Sequence, residues 1–177
     1  MDLSRRSLLR VGAGGVAVLA VGGTALSAAA PSPRDPATPL RALSPRAFAI
    51  LSAVADRICP GGEGLPSASD LRVAESIDAL LTAAHPALVG ELHQVLYLLE
   101  NPVAGWLIDG RRGRFTYADA AEQERILLAW RDHPRTLMRT AFFALRDLVS
   151  PTYWSNPALW PALGYPGPPN YGNRSTP

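Results

Sequence analysis

Between Ser44 and Val149, apolar residues recur at three- and four-residue intervals in five successive stretches, and in none do they alternate in the manner of a strand. That spacing lines one side of a helix with apolar groups, and such a helix must bury its stripe against another. "SPRAFAILSAVADRIC" opens with Ser44 as N-cap and Pro45 at the first helical position, and Phe48, Leu51, Val54, Ala55 and Ile58 share a face. "PGGEGLP" stops it. "SASDLRVAESIDALLTAA" offers Ser67 or Ser69 as cap and Val73, Ile77, Leu80, Leu81 and Ala84 as stripe. Pro86 opens a third helix with Leu88, Leu92, Val95, Leu96 and Leu99 inward. "NPVAGWLIDGRRGRF" reads as an irregular connection, too rich in glycine at its far end for a stable element. Thr116, with Asp119 three residues on, suggests a capping-box start for "YADAAEQERILLAW". Pro134 opens the last helix, with Leu137, Ala141, Phe142, Leu145 and Leu148 aligned. The expected fold is all-α, a small bundle of about five helices.

Beyond Val149 the character changes. "SPTYWSNPALWPALGYPGPPNYG" holds two of the four tryptophans and three of the five tyrosines, dense proline and almost no charge. Proline fixes φ and lacks an N–H, so an extended C-terminal tail is expected, its large rings hung on a semi-rigid strand of chain. Those rings either fold back on their own domain or dock on another protein.

The chain opens "MDLSRRSLLRVGAGGVAVLAVGGTALSAAAPSP", with positive charge first, a weakly apolar stretch next and small residues last. This is the layout of an export signal. Ser4, Arg5, Arg6, Leu8, Leu9 and Arg10 match the twin-arginine pattern, read by a translocase that moves folded proteins. A cut after Ala29 is expected; the alternative, an uncleaved anchor, is weakened by five glycines in the span. The expected divisions are a signal over 1–29, a proline-rich linker over 30–42, the helical domain over 43–149 and the docking tail over 150–177.

Charge narrows the partners. Every basic residue is arginine, and taking Asp2 and the three leader arginines from 17 basic and 15 acidic residues leaves 14 of each. A neutral chain lacks the footprint that phosphate backbones require, so nucleic acid is not an expected partner. The candidate chemistry is thin. His85, His93 and His133 show no zinc spacing, and His85 and His133 each stand at a turn before a proline. Cys59 is the single cysteine, read as a buried thiol. The glycine runs precede no phosphate-loop lysine, and Glu91, Glu122, Glu124 and Asp132 scatter over helix surfaces. "DGRRGR", Asp109 to Arg114, is the one basic cluster, either a solvated loop or a site for an anion or an acidic patch. No catalytic residue, no cofactor site and no metal site is expected in this chain.

In order, the twin-arginine leader, "ADRICP", "AESIDALL", "RFTYADAAEQERILLAW" and the ending "YWSNPALWPALGYPGP" resemble the gluconate 2-dehydrogenase subunit 3 family. The likeness covers about Leu43 to Pro169 and is strongest from Tyr153 to Pro168; Cys59 departs from the aliphatic residue expected there. The resemblance implies a small non-catalytic subunit of a membrane-associated dehydrogenase. Its large partner would be a glucose–methanol–choline-type flavoprotein that holds FAD, with a cytochrome c subunit as possible electron acceptor. It implies that the leader serves both chains and delivers them to the periplasm or the outer face of the cytoplasmic membrane, and that the small subunit supports maturation of the large one. In the tail, Tyr153, Trp154, Asn156, Pro157, Trp160, Leu163, Gly164, Tyr165, Pro166, Gly167 and Pro168 are the expected partner-binding residues. The competing expectations are a stand-alone enzyme built around His93 with Glu91 or Glu124, and an exported helical bundle holding a lipid or other apolar ligand.

Overall fold

The computed structural model describes residues 35–167, and among these every regular element is helical. Six α-helices follow in order: α1 (Pro45–Ile58), α2 (Val73–Leu81), α3 (Pro86–Glu100), α4 (Pro102–Ile108), α5 (Ala120–Arg131) and α6 (Thr136–Trp154). Short 3-10 turns stand at Phe115–Tyr117 and Pro157–Leu159. The all-α expectation holds. The leader residues Ser4, Arg5, Arg6, Leu8, Leu9 and Arg10, and Pro168 in the tail, lie outside the described residues.

α1 is the axis of the domain. Ser44 caps it, its hydroxyl accepting from the Ala47 N–H at 3.1 Å. The expected single apolar face proves too narrow, for every residue from Ala47 to Asp56 is buried. α2, α3, α5 and α6 all pack on this helix, and a helix enclosed on all sides must be tolerable on all sides. Ala47, Ala49, Ala53 and Ala55 make it so, since small side chains let neighbouring helices come close. The one carboxylate in this run, Asp56, is answered by Ser69, whose N–H and hydroxyl donate to it at 2.9 and 2.8 Å.

Several boundaries differ from the sequence expectation, each for a local reason. Ser67 does form a reciprocal box with Asp70, but it caps a separate turn. Arg72 then adopts a left-handed conformation, φ 52°, and α2 starts only at Val73. Leu80 and Leu88, expected inward, are exposed. Thr116 does not cap α5. Its N–H and hydroxyl donate to the buried Glu100 carboxylate at 3.0 and 2.7 Å, and Asp119 caps the helix instead, accepting from the Glu122 N–H at 2.8 Å. α6 starts two residues after Pro134, and Met138, Ala141, Leu145, Val149 and Tyr153 form its buried stripe; Leu137 is exposed.

The supposed irregular connection contains α4. Asn101 caps it, accepting from the N–H groups of Val103 and Ala104 at 2.9 and 3.2 Å, with Pro102 at the first helical position. Nor is "DGRRGR" wholly a solvated loop. Arg111 is buried beneath α4 and donates to the carbonyls of Leu99 and Asn101 at the end of α3. Asp109 lies 3.6 Å from its guanidinium and also accepts from the Trp130 indole N–H. Burial pulls the Arg111 guanidinium below its usual range, opposed by the charges of Asp109 and Glu100.

The stretch before α1 is tied down rather than loose. The buried Asp78 carboxylate accepts from three consecutive peptide N–H groups, Arg41, Ala42 and Leu43, at 2.7, 3.0 and 2.7 Å.

Candidate functional site: a C-terminal aromatic hook

α6 does not stop at Val149. It runs through Pro151 to Trp154. A proline inside a helix leaves the carbonyl four residues earlier without its donor. Here that residue is Asp147, on the exposed face of the helix. The extra turn carries Tyr153 into the domain, buried to 2% exposure, where its hydroxyl donates to the Pro66 carbonyl at 2.7 Å.

The chain then winds instead of extending. Asn156 accepts from the Ala158 N–H at 3.0 Å and caps the turn Pro157–Leu159, with Pro157 at its first position. Leu159 is fully buried and anchors the segment to the core. A second turn closes in a Schellman arrangement: the Tyr165 N–H donates to the Trp160 carbonyl at 2.9 Å and the Gly164 N–H to that of Pro161 at 3.2 Å. The closing residue of such a motif is left-handed, and Gly164 sits at φ 64°. The residue after it packs on the side chain of the residue whose carbonyl accepts from it, and the Tyr165 and Trp160 rings meet edge to face at 5.5 Å. Pro166 ends the winding. A side chain at Gly167 would crowd the Trp160 ring at 3.1 Å, so "LGYPG" is a structural signature before it is anything else.

The ten described residues among the eleven expected in the tail therefore divide. Tyr153 and Leu159 belong to the interior; Leu159 was not among those expected to matter. Trp154, at 48% exposure, stacks its edge against Tyr153, and Leu163 and Tyr165 are 50% and 46% exposed. Trp160, Asn156 and Gly167 are half-buried, and Pro157, Gly164 and Pro166 are exposed. The hook gathers Trp160 with Tyr165 and Gly167, and separately Tyr153 with Trp154.

The other candidates have local tasks. His85 and His133 each cap the following turn through Nδ1, accepting from Ala87 and Arg135 N–H groups. His93 Nε2 faces the Ser44 N–H at 3.4 Å and its ring lies 5.8 Å from that of Tyr97. Cys59 ends α1 in a buried position, and burial pushes its thiol up to about 11, so it is protonated at neutral pH. Among the described residues no three His, Cys, Asp or Glu side chains gather as metal ligands.

Fold and surface thus define a small helical module that braces an aromatic, proline-stiffened surface on a filled core. The chain belongs to the gluconate 2-dehydrogenase subunit 3 family, whose model matches residues 45–167, from the first residue of α1 through the hook. No curated protein and no solved structure matches it.

Proposed function

We propose that this chain is the non-catalytic small subunit of a flavoprotein dehydrogenase, carrying the twin-arginine export signal for both and supporting the maturation and stability of the large subunit. The observation that carries the reading is the family match running through the hook, which leaves Trp154, Leu163 and Tyr165 outward on a rigid frame. Large rings with few rotatable bonds lose little entropy on docking, and the Schellman closure has already ordered the backbone. The partner on this reading is a glucose–methanol–choline-type subunit that holds FAD, and a cytochrome c subunit takes its electrons. The leader pattern and a folded, cofactor-bearing partner explain each other, because the twin-arginine route accepts folded cargo. The complex is then periplasmic or on the outer face of the cytoplasmic membrane; no described helix is long and apolar enough to cross a membrane itself. Trp130, Phe115, Ile50 and Leu51 fill the space between the helices, which favours a subunit over a bundle that holds a lipid.

The test is the double substitution Arg5→Lys with Arg6→Lys. Both this chain and the flavoprotein are expected to stay in the cytoplasm. Normal export of the flavoprotein in that strain would refute the shared signal.

A further inference from the structure

The chain before α1 runs as a strap along α2. Asp78 holds its inner end through the N–H groups of Arg41, Ala42 and Leu43. One turn earlier on α2, Glu75 accepts from the Ala37 N–H at 3.4 Å. The two carboxylates stand at i and i+3 and so share a side of the helix, which sets the strap's course toward the start of α2. At its outer end the strap borders a cleft of about 330 Å³. α1 supplies Phe48 and Ser52 to the walls, the loop after it Ser69, α2 Glu75, and the strap itself Asp35. Ala68 and Ala74 leave the room between them. The volume is at the low end for a ligand site, suited to a side chain or two.

The cleft is acidic. Asp35 and Glu75 carry the formal charges of its lining, and no basic side chain lines it. Asp56 lies buried behind Ser69, taking its N–H and hydroxyl. Glu75 is half-buried, and the Ala37 contact that engages it is long. The described residues begin at Asp35, on the rim of this cleft, and Arg34 is joined directly to it just outside them. Consecutive Cα atoms are about 3.8 Å apart, so an arginine reaches the cleft with no loop to close.

We propose that the cleft is the seat of this chain's own linker. The Arg34 side chain enters it, with its stem on Phe48 and its guanidinium on the carboxylates of Glu75 and Asp35. A guanidinium brings five N–H donors in a fork that suits carboxylates, and its methylene stem tolerates an apolar floor. Pro31 and Pro33 stiffen the linker beforehand, so less entropy is lost on docking.

The seat bears on export. Its walls come from α1, α2 and the loop between them, so it exists only once these have assembled. The same loop, through the Pro66 carbonyl, holds Tyr153 at the root of the hook. The leader then departs from the folded domain at a fixed place beside the hook, where the large subunit docks on the reading above.

The test is a double-mutant cycle on the full chain, with urea unfolding of Arg34→Gln, Glu75→Gln and the two combined. If the side chains meet, the combined change in unfolding constant is expected to differ from the product of the single changes by about twofold to fivefold, the range of a surface ion pair. The coupling is expected to vanish in 1 M salt, roughly where the screening length falls to 3 Å. Additive effects at low salt overturn the proposal even if each single variant is destabilised, because Glu75 also holds Ala37. Resistance of the Arg34 bond to trypsin that arises only on adding the dehydrogenase subunit assigns the arginine to the partner and overturns it too. Both results leave the subunit reading intact.

Discussion

The hook makes two kinds of prediction, because its residues divide between interior and surface. Leu159 has no exposed area, and truncation to alanine removes three buried carbons and leaves a void beside the core. Such changes cost about 2–5 kcal/mol. A site on a short turn at the edge of the domain can collapse partly, so Leu159→Ala is expected at the low end, about 2–3 kcal/mol. Tyr153→Phe keeps the ring and loses only the hydroxyl's bond to the Pro66 carbonyl, for about 1 kcal/mol. Trp154 and Tyr165 are half exposed, and replacing either with alanine is expected to change stability by less than about 1 kcal/mol while weakening partner binding by about 1–4 kcal/mol. Stability is read from urea midpoints at constant slope, and binding by calorimetry with the dehydrogenase subunit. Ending the chain after Val149 removes both Tyr153 and Leu159, so that truncation is expected to destabilise the domain as well as abolish docking. Should Trp154→Ala or Tyr165→Ala unfold the chain as readily as Leu159→Ala, the division between interior and surface is wrong.

Asp78→Asn withdraws an acceptor from three N–H groups, of which that of Leu43 is buried and those of Ala42 and Arg41 are partly buried; a loss of about 2–4 kcal/mol at pH 7 is expected. Burial pushes the Asp78 carboxyl up, but the three N–H groups and the Arg41 charge outweigh it and hold it below its usual value. Its contribution is therefore complete above the unfolded value, about 3.9, and fades as pH falls through the lower folded one. The urea-midpoint gap between parent and variant should narrow in that acid range, and a gap independent of pH would show that the charge is not what matters. Gly105→Ala is expected to cost about 1–3 kcal/mol by forcing Arg111 from its place under α4. Gly90→Ala on α3, where a Cβ meets nothing within 4 Å, should instead raise stability by about 0.5–1 kcal/mol; equal effects at the two glycines would refute the packing argument.

Much of the fold is legible in the sequence because its signals act within four residues. Ser44 with Pro45, and Pro86, mark helix starts by satisfying or sparing the first N–H groups; the turns at Asn156 and Gly164, where an extended tail was expected, rest on local bonds of the same kind. The start of α4 is equally local, with Asn101 as cap and Pro102 at the first position, although the glycines beyond it point to an irregular connection. What remained hidden depends on partners far along the chain. Whether Thr116 caps α5 was decided by Glu100, which takes its hydroxyl first. Whether "DGRRGR" is solvated was decided by the open carbonyls at the end of α3, which draw Arg111 inward. That α1 is enclosed on every side, that α4 shows its apolar stripe outward, and that Tyr153 and Leu159 leave the tail for the core are likewise outcomes of packing. The sequence by itself determined that the domain is helical, where α1 and α3 begin and which family the chain resembles, since caps are local hydrogen-bond problems. Only the tertiary structure decided which face of each element meets another, because burial belongs to a pair of surfaces and not to a stretch of chain.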